Sequence, residues 1–347
     1  MKSWLKKWGT AETVILASNV AVLALFAIFA AVAGFSGDNL SAWISYYSQT
    51  FSGSFANFLY VAILFICLVA VVLVIWTLAK SFITKARDPL VVFLDAAKRS
   101  CDMLLIIPAI LFISIAAVAM GEANEFAPAR LQDVRVIGWE HAIFGNYVFA
   151  ALGNIHYPAW LFTFIVFSFE NMALFLIGIG ILLSYVARNR FRELLVAFCV
   201  GILLMIPIWL IVPVLSPQDR FIDNVYALPI PAQITSALAS YHPQQELINF
   251  FQSVRKEKVA LPVLPTSTFP SAHVLWATIA GYYLFRARRP WRWLGWVALP
   301  FLLASTFGTM LLAQHYFMDV PAGFVIAAIA IWLADGMDNA KKKLKVG

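Results

Sequence analysis

Long apolar runs, separated by short polar and mostly basic stretches, set the pattern of this chain. The runs fall at about 13–35, 58–79, 102–120, 158–187, 194–216, 272–285, 293–313 and 318–334. Most approach the ~20 residues that a helix needs to cross a bilayer core. The pattern predicts an all-α integral membrane fold with about eight transmembrane helices. The sixth and eighth runs are short, and Glu170 and Asn171 interrupt the fourth. Polar groups at that depth are costly in lipid, so these two are expected to face the bundle interior. The first run follows Lys2, Lys6 and Lys7. It is longer than the roughly 7–15 residues of a signal-peptide core, which makes it an uncleaved first helix.

Two long segments between runs, about 122–157 and 217–271, are rich in proline, aromatic and polar residues and read as ordered caps. In the first, Val134, Ile137, His141 and Phe144 recur at helical spacing, with Asp133, Arg135 and Glu140 among them. That spacing predicts a helix lying on the membrane surface, with His141 at the interface.

The charges outside the runs supply an independent test of topology. An even number of crossings puts both termini on one side. All of the 25 basic residues lie on that side except Arg130, Arg135, Arg220, Arg255, Lys256 and Lys258. Basic residues concentrate in cytoplasmic loops, so both termini are predicted cytoplasmic and the two caps outside. The tail Lys341–Lys345 then anchors the last helix at an anionic inner leaflet.

Composition agrees with this picture. Of 347 residues, 62% are hydrophobic and 12% charged, and mean hydropathy is +0.83. A soluble domain carries about 25% charged residues. The net charge of +7 sits in clusters between apolar runs rather than along one face, which reads as a topology signal and excludes a nucleic-acid partner. Cys67, Cys101 and Cys199 fall in or beside apolar runs at no metal-ligand spacing, and read as small core residues with no disulfide framework. No internal repeat is present.

Candidate chemistry rests on two of the five histidines. His273 opens the sixth run and His315 precedes the eighth, 42 positions later. That interval allows one crossing and one return at ~20 residues each, so both imidazoles reach the same face. Asp319 follows His315 by four residues, a spacing that shares a helix face. The carboxylate either orients the ring and sharpens its far nitrogen as a nucleophile or base, or is a helix-start Asp favoured by the macrodipole beside an interfacial His.

Thr268-Phe269-Pro270-Ser271-Ala272-His273 resembles the P-S-G-H motif of the type 2 phosphatidic acid phosphatase (PAP2) superfamily, and His315-Tyr316-Phe317-Met318-Asp319 resembles its H-x-x-x-D motif. The two stand in the family's order, and the likeness covers about 100–335. It implies a six-helix catalytic core over 101–335, two additional helices in 1–100, and a basic tail in 336–347. Two departures stand out. Gly308-Thr309 occupies the place of the family's S-R, and no K-x(6)-R-P motif is present on the outer side. These departures, with the Phe-Pro-Ser-x-His pattern, look more like the inositol phosphorylceramide synthase and sphingomyelin synthase branch.

The resemblance implies catalytic residues His273, His315 and Asp319, acting on a lipid-linked phosphate through a phosphohistidine at the outer membrane face. The enzyme would be a lipid phosphatase or phosphotransferase of a bacterial-type plasma membrane, with no cofactor and no metal. Phosphate still needs cations or hydrogen-bond donors. Arg220, at the end of a proline-rich segment after the fifth run, is the leading candidate, and Ser271 at a helix start is the second. Arg220 pairing with Asp219 or Asp223, and Ser271 as a plain N-cap, are the structural alternatives. Arg255, Lys256 and Lys258 read as a solvated patch or an attractor of anionic head groups. Two other classes remain open: a lipid or solute transporter, and a catalytically inactive scaffold of the same fold.

Overall fold

A computed structural model describes residues 10–32, scattered positions between 67 and 106, 131–260, 267–287, 289 and 291–344. Every described element is a helix. In chain order they are α1 (Thr10–Val32), α2 (Asp133–Phe144), α3 (Val148–Gly153), α4 (Ala159–Glu170), α5 (Met172–Val186) and α6 (Arg188–Ile211). A π-helical turn, Gln218–Ile222, precedes α7 (Ala232–Ala239), α8 (Gln245–Ala260), α9 (Ala272–Phe285), α10 (Trp293–Leu311) and α11 (Asp319–Leu344).

Among the described residues three helices are long and apolar enough to cross a membrane: α6, α10 and α11 over Asp319–Met337. The pair α4–α5 makes a fourth if it is one bent span. The expected runs at 58–79 and 102–120 lie largely outside the described residues, as does Arg130. The sixth run forms α9, whose 14 residues extend only about 21 Å at 1.5 Å per residue. That is short of the hydrocarbon core.

The fourth run is a broken helix rather than one span. α4 and α5 meet at 67°, with Asn171 serving as C-cap of one and N-cap of the other. The Asn171 side chain donates to Phe167 O at 2.9 Å, a local bond that competes with helix continuation. Both residues were expected to face the interior, but Glu170 is exposed and Asn171 half-buried. Their polarity falls at the break, where Asn171 caps both helices.

Two cores result. The bundle core packs α6 against α1, α5, α9 and α11, around Phe191, Leu194, Ile202, Leu275, Tyr283 and Ala327. The cap core gathers α2, α3, α7, α8 and the π turn over one end of α10, around Ile137, Phe149, Val214, Phe221, Phe251 and Tyr316. The two long segments are thus ordered caps where described.

The helix expected over Asp133–Gly145 is present as α2, closed by Gly145 in the left-handed region (φ 64), whose N–H returns to His141 O. Of the expected stripe, Ile137 is buried and Val134, His141 and Phe144 are exposed. Asp133, Val136, Ile137 and Glu140 are buried, whereas Val134, Trp139, Ile143 and Phe144 are exposed. Two carboxylates therefore point into the protein and the bulkiest apolar side chains point out. Backbone amides from neighbouring segments satisfy both carboxylates and make that arrangement stable.

Candidate active site

The His-bearing end of the bundle is built where the starts of α9 and α11 touch through their backbones. Ser271 N donates to Asp319 O at 3.1 Å. A Cβ on Gly323 would lie 2.8 Å from Ser271 O, so only glycine lets α11 come this close. Ser271 caps α9, its Oγ accepting from Val274 N at 3.4 Å. Trp209 of α6 fixes the preceding turn by donating Nε1–H to Pro270 O at 3.1 Å.

His315 lies in the tight connection between α10 and α11. After α10 ends, Ala313 takes a positive φ of 52°, and both Gln314 N and His315 N return to Thr309 O, at 3.0 and 2.9 Å. The neighbouring π turn braces this connection: Gln218 N donates to Ala313 O at 2.9 Å and Gln314 Nε2 donates to Gln218 Oε1 at 2.6 Å. Thr309 is thus a backbone anchor, with its own hydroxyl bonded to Thr306 O.

The ring of His315 is held at both nitrogens. Nδ1 is 3.0 Å from Asp319 Oδ2 and 3.1 Å from Thr268 O. A carbonyl can only accept, and the carboxylate here also accepts from Tyr316 N, so the proton belongs on Nδ1. Nε2 is left with its lone pair and receives the Ser271 hydroxyl at 3.2 Å. The His273 ring lies 5.9 Å from that of His315, centroid to centroid. Phe169 stacks on it at 4.5 Å and Trp276 tilts against it at 5.5 Å. Ser271, His315 and Asp319 are buried, and His273 is half-buried.

Four of the five residues singled out in the sequence therefore meet. The fifth, Arg220, is buried in the π turn. It donates to Pro229 O at 2.8 Å, Leu228 O at 3.4 Å and Asn224 Oδ1 at 3.5 Å. Its Nε lies 3.6 Å from Asp133 Oδ2, and its ion-pair partner is this α2 residue rather than Asp219 or Asp223. Among the described residues no hydrogen bond or ion pair joins Arg220 to the histidines. Arg255 is exposed and lies 3.9 Å from Asp223.

Three groups escaped the sequence reading: Thr268 O, Asp133 and Glu140. Asp133 accepts from Leu215 N at 2.5 Å. Burial pushes its carboxyl up to about 6, against the pull of that amide and of Arg220. Glu140 accepts from Val148 N at 2.5 Å and Phe317 N at 2.7 Å. Burial pushes it up to about 7 despite both amides, and Asp319 adds to the rise. The signal was available: Asp133, Val136, Ile137 and Glu140 follow i, i+3, i+4, i+7, one helix face.

Below the histidines a cleft of about 720 Å³ follows the α4–α5 break, walled by Phe167, Leu182, Leu284, Leu294 and Phe301, with Asn171 its polar member. Gly178 lines it, and a Cβ there would meet nothing within 4 Å. Among the described residues no three His, Cys, Asp or Glu side chains converge as a metal ion would require.

A helical membrane bundle that sets two histidines, a serine and a carboxylate where two helix starts meet defines the class of protein. Its family follows from comparison: the model of the PAP2 superfamily matches residues 134–333, more than half of the chain, and the chain belongs to that superfamily. The match runs from α2 into α11 and so contains the cap core and the site together. No curated protein and no solved structure matches the chain. Membership brings lipid phosphatase-type chemistry and association with a membrane.

Proposed function

We propose that this protein cleaves or transfers a lipid-linked phosphate through a phosphohistidine on His315. The supporting observation is the paired hold on Nδ1 by Asp319 and Thr268, which directs the lone pair of Nε2 toward Ser271 and the start of α9. Nε2 attacks phosphorus, a P–N bond forms and the P–O bond to the lipid breaks. His273, protonated as the anionic phosphate binds beside it, gives its proton to the departing oxygen. It then takes a proton from water or an alcohol, whose oxygen attacks phosphorus and releases His315. Asp319 stabilises the charge that His315 acquires. The free amides at the start of α9 and the Ser271 hydroxyl meet the phosphate oxygens. Arg220 adds positive charge from the cap; direct contact requires it to leave Pro229.

The absence of the S-R pair, replaced by Gly308-Thr309, supports placement near the inositol phosphorylceramide and sphingomyelin synthase branch, with an alcohol as acceptor. The apolar cleft supports a lipid-borne rather than soluble phosphate. It opens along the α4–α5 break at Asn171, two residues after Phe169, whose ring stacks on His273, and a hydrocarbon chain held there would stay within the same bundle as the site. Gly178→Phe fills that cleft and should raise KM several-fold for long-chain phosphatidic acid but not for a short-chain analogue. Equal kinetics on both would place the chain elsewhere.

The deciding experiment is trapping of the ³²P-labelled protein, without an acid quench, after mixing with labelled lipid phosphate. Label that survives alkali, is lost in acid and is missing in His315→Ala identifies the intermediate; turnover in His315→Ala would eliminate it. The distribution of basic residues supports a site on the outer face with both termini cytoplasmic. In a background without native cysteines, Ser253→Cys should react with an impermeant thiol reagent in intact cells, and protection there reverses the orientation.

A further inference from the structure

We propose that Glu140 is a positioning residue whose carboxylate pins the His315 connection to α2, so that its state of protonation decides how firmly the nucleophile is held. The inference deepens the enzyme reading above and rests on it for its kinetic arm. Glu140 touches neither histidine. Oε2 accepts from Phe317 N, two residues after His315, and Oε1 accepts from Val148 N, the first residue of α3. One side chain thereby joins three segments, and the Phe144 ring closes on Phe317 at 4.7 Å beside it. The side chain is 0% exposed, and none of the ion pairs among the described residues involves it.

A carboxylate offers acceptors on both oxygens, whereas a carboxylic acid turns one of them into a donor facing an amide. Protonation therefore forfeits one of the two bonds. The titratable groups around Glu140 are Tyr147 ahead of α3, Tyr316 in the connection and Asp319 at the start of α11. Tyr147 and Tyr316 stay neutral at working pH, and among the described residues no cation answers the charge. With the carboxyl at about 7, the bond is made above neutrality and loosens below it.

The sign for stability is the reverse. A carboxyl raised in the folded state binds its proton more readily there than in the unfolded chain, so this group's contribution to stability is fullest below about 4.5 and is lost as pH rises through about 7. Falling pH should thus weaken turnover while folding stability rises, a pairing that a residue with only a structural role does not produce.

The test uses the full chain in lipid nanodiscs and two variants. Glu140→Gln keeps the shape but not the second acceptor. Its kcat at pH 8.5 should fall about tenfold to the wild-type level at pH 6, with KM little changed and no further loss between those pH values. Val148→Pro removes one donor at a first helical position, where proline fits, behind Tyr147 in an extended conformation. Losing that amide raises the Glu140 carboxyl further, so the acid limb of the profile should move to higher pH. Amide exchange of residues 312–318, followed by mass spectrometry, needs no substrate and should quicken in Glu140→Gln. Quickened exchange with an inactive wild type would sink the enzyme reading alone. Wild-type exchange and an unshifted profile in both variants would sink the role of Glu140. If Glu140→Gln fails to fold, an unmoved profile in Val148→Pro overturns that role by itself.

Discussion

The two ends of the helix pair α9–α11 each hold a carboxylate, and they treat it in opposite ways. Asp335, at the end away from the histidines, accepts from Tyr282 at 2.8 Å, Tyr283 at 3.2 Å and Arg286 at 2.8 Å. Ion pairs Arg190–Glu193 and Arg192–Glu12 lie on α6 and α1. There each of these acids has an arginine, and most of these groups keep some contact with solvent. At the other end Asp319, Asp133 and Glu140 are all buried, yet Arg220 is the one cation paired with any of them among the described residues. Backbone amides and an imidazole carry the rest. An end built for rigidity neutralises its charges with side chains. If the His-bearing end changes charge during a reaction, as proposed, fixed dipoles suit it, because they need no rearrangement when the charge moves.

The sharpest way to break this contrast is His273→Ala. If the His-bearing end is the reactive one, turnover should fall by about 10²–10⁴-fold, as for other positioned acid–base groups, with thermal unfolding almost unmoved. Phosphate release from lipid phosphate and a melting curve in the same detergent measure both.

Arg220→Ala comes next, with an expected loss of roughly 10²-fold in turnover that lysine restores only in part, because an ammonium lacks the planar fork. This variant should also destabilise, since Asp133 loses the cation that opposes its burial. Asp133 would then move further above about 6. At pH 5.5 the variant holds a neutral Asp133 at small cost; at pH 8 it must bury a lone charge or take up a proton. The loss of melting temperature should therefore be larger at pH 8. Equal losses at both values would detach Asp133 from Arg220, and unchanged kinetics would confine Arg220 to the cap.

The smallest effect belongs to the opposite end. Asp335→Asn should cost about 1 kcal/mol of stability or less, as half-exposed ion pairs and single hydrogen bonds do, and leave turnover at the wild-type level. A large kinetic defect would erase the distinction between the two ends.

How much of this was legible in the chain depended on sequence distance. That His273, His315 and Asp319 meet could be read from the chain because each sits in a short segment at a helix start, where spacing fixes placement. The apolar runs gave α6, α10 and α11, since burial in lipid demands length and apolarity together. α2 was found as a helix, but not the face it buries. The pattern gave its carboxylates no partners, whereas the amides of Leu215, Val148 and Phe317 draw them inward. Leu215 and Phe317 are 82 and 177 positions from their acceptors, beyond any local pattern. The pairing of Arg220 with Asp133 escaped for the same reason. The break at Asn171 was visible as an interruption, but whether polarity there meant a buried contact or a bend depends on packing.

The meeting of Ser271 and Gly323 also limits what can replace them. A methyl group at position 323 would have to displace the carbonyl of the residue that caps α9, or Val274 behind it. Either shift separates the helix that begins at Asp319 from the turn that carries Ser271. The tolerance of this position to mutation is therefore set by a gap narrower than one carbon atom, although Gly323 bears no reactive group. A saturation library read by turnover should show it as invariant as His315, and one read by expression alone should show it far more permissive. For anyone moving this site into another scaffold, the quantity to preserve is the spacing between two backbones, and the side chains can be grafted only after it is met.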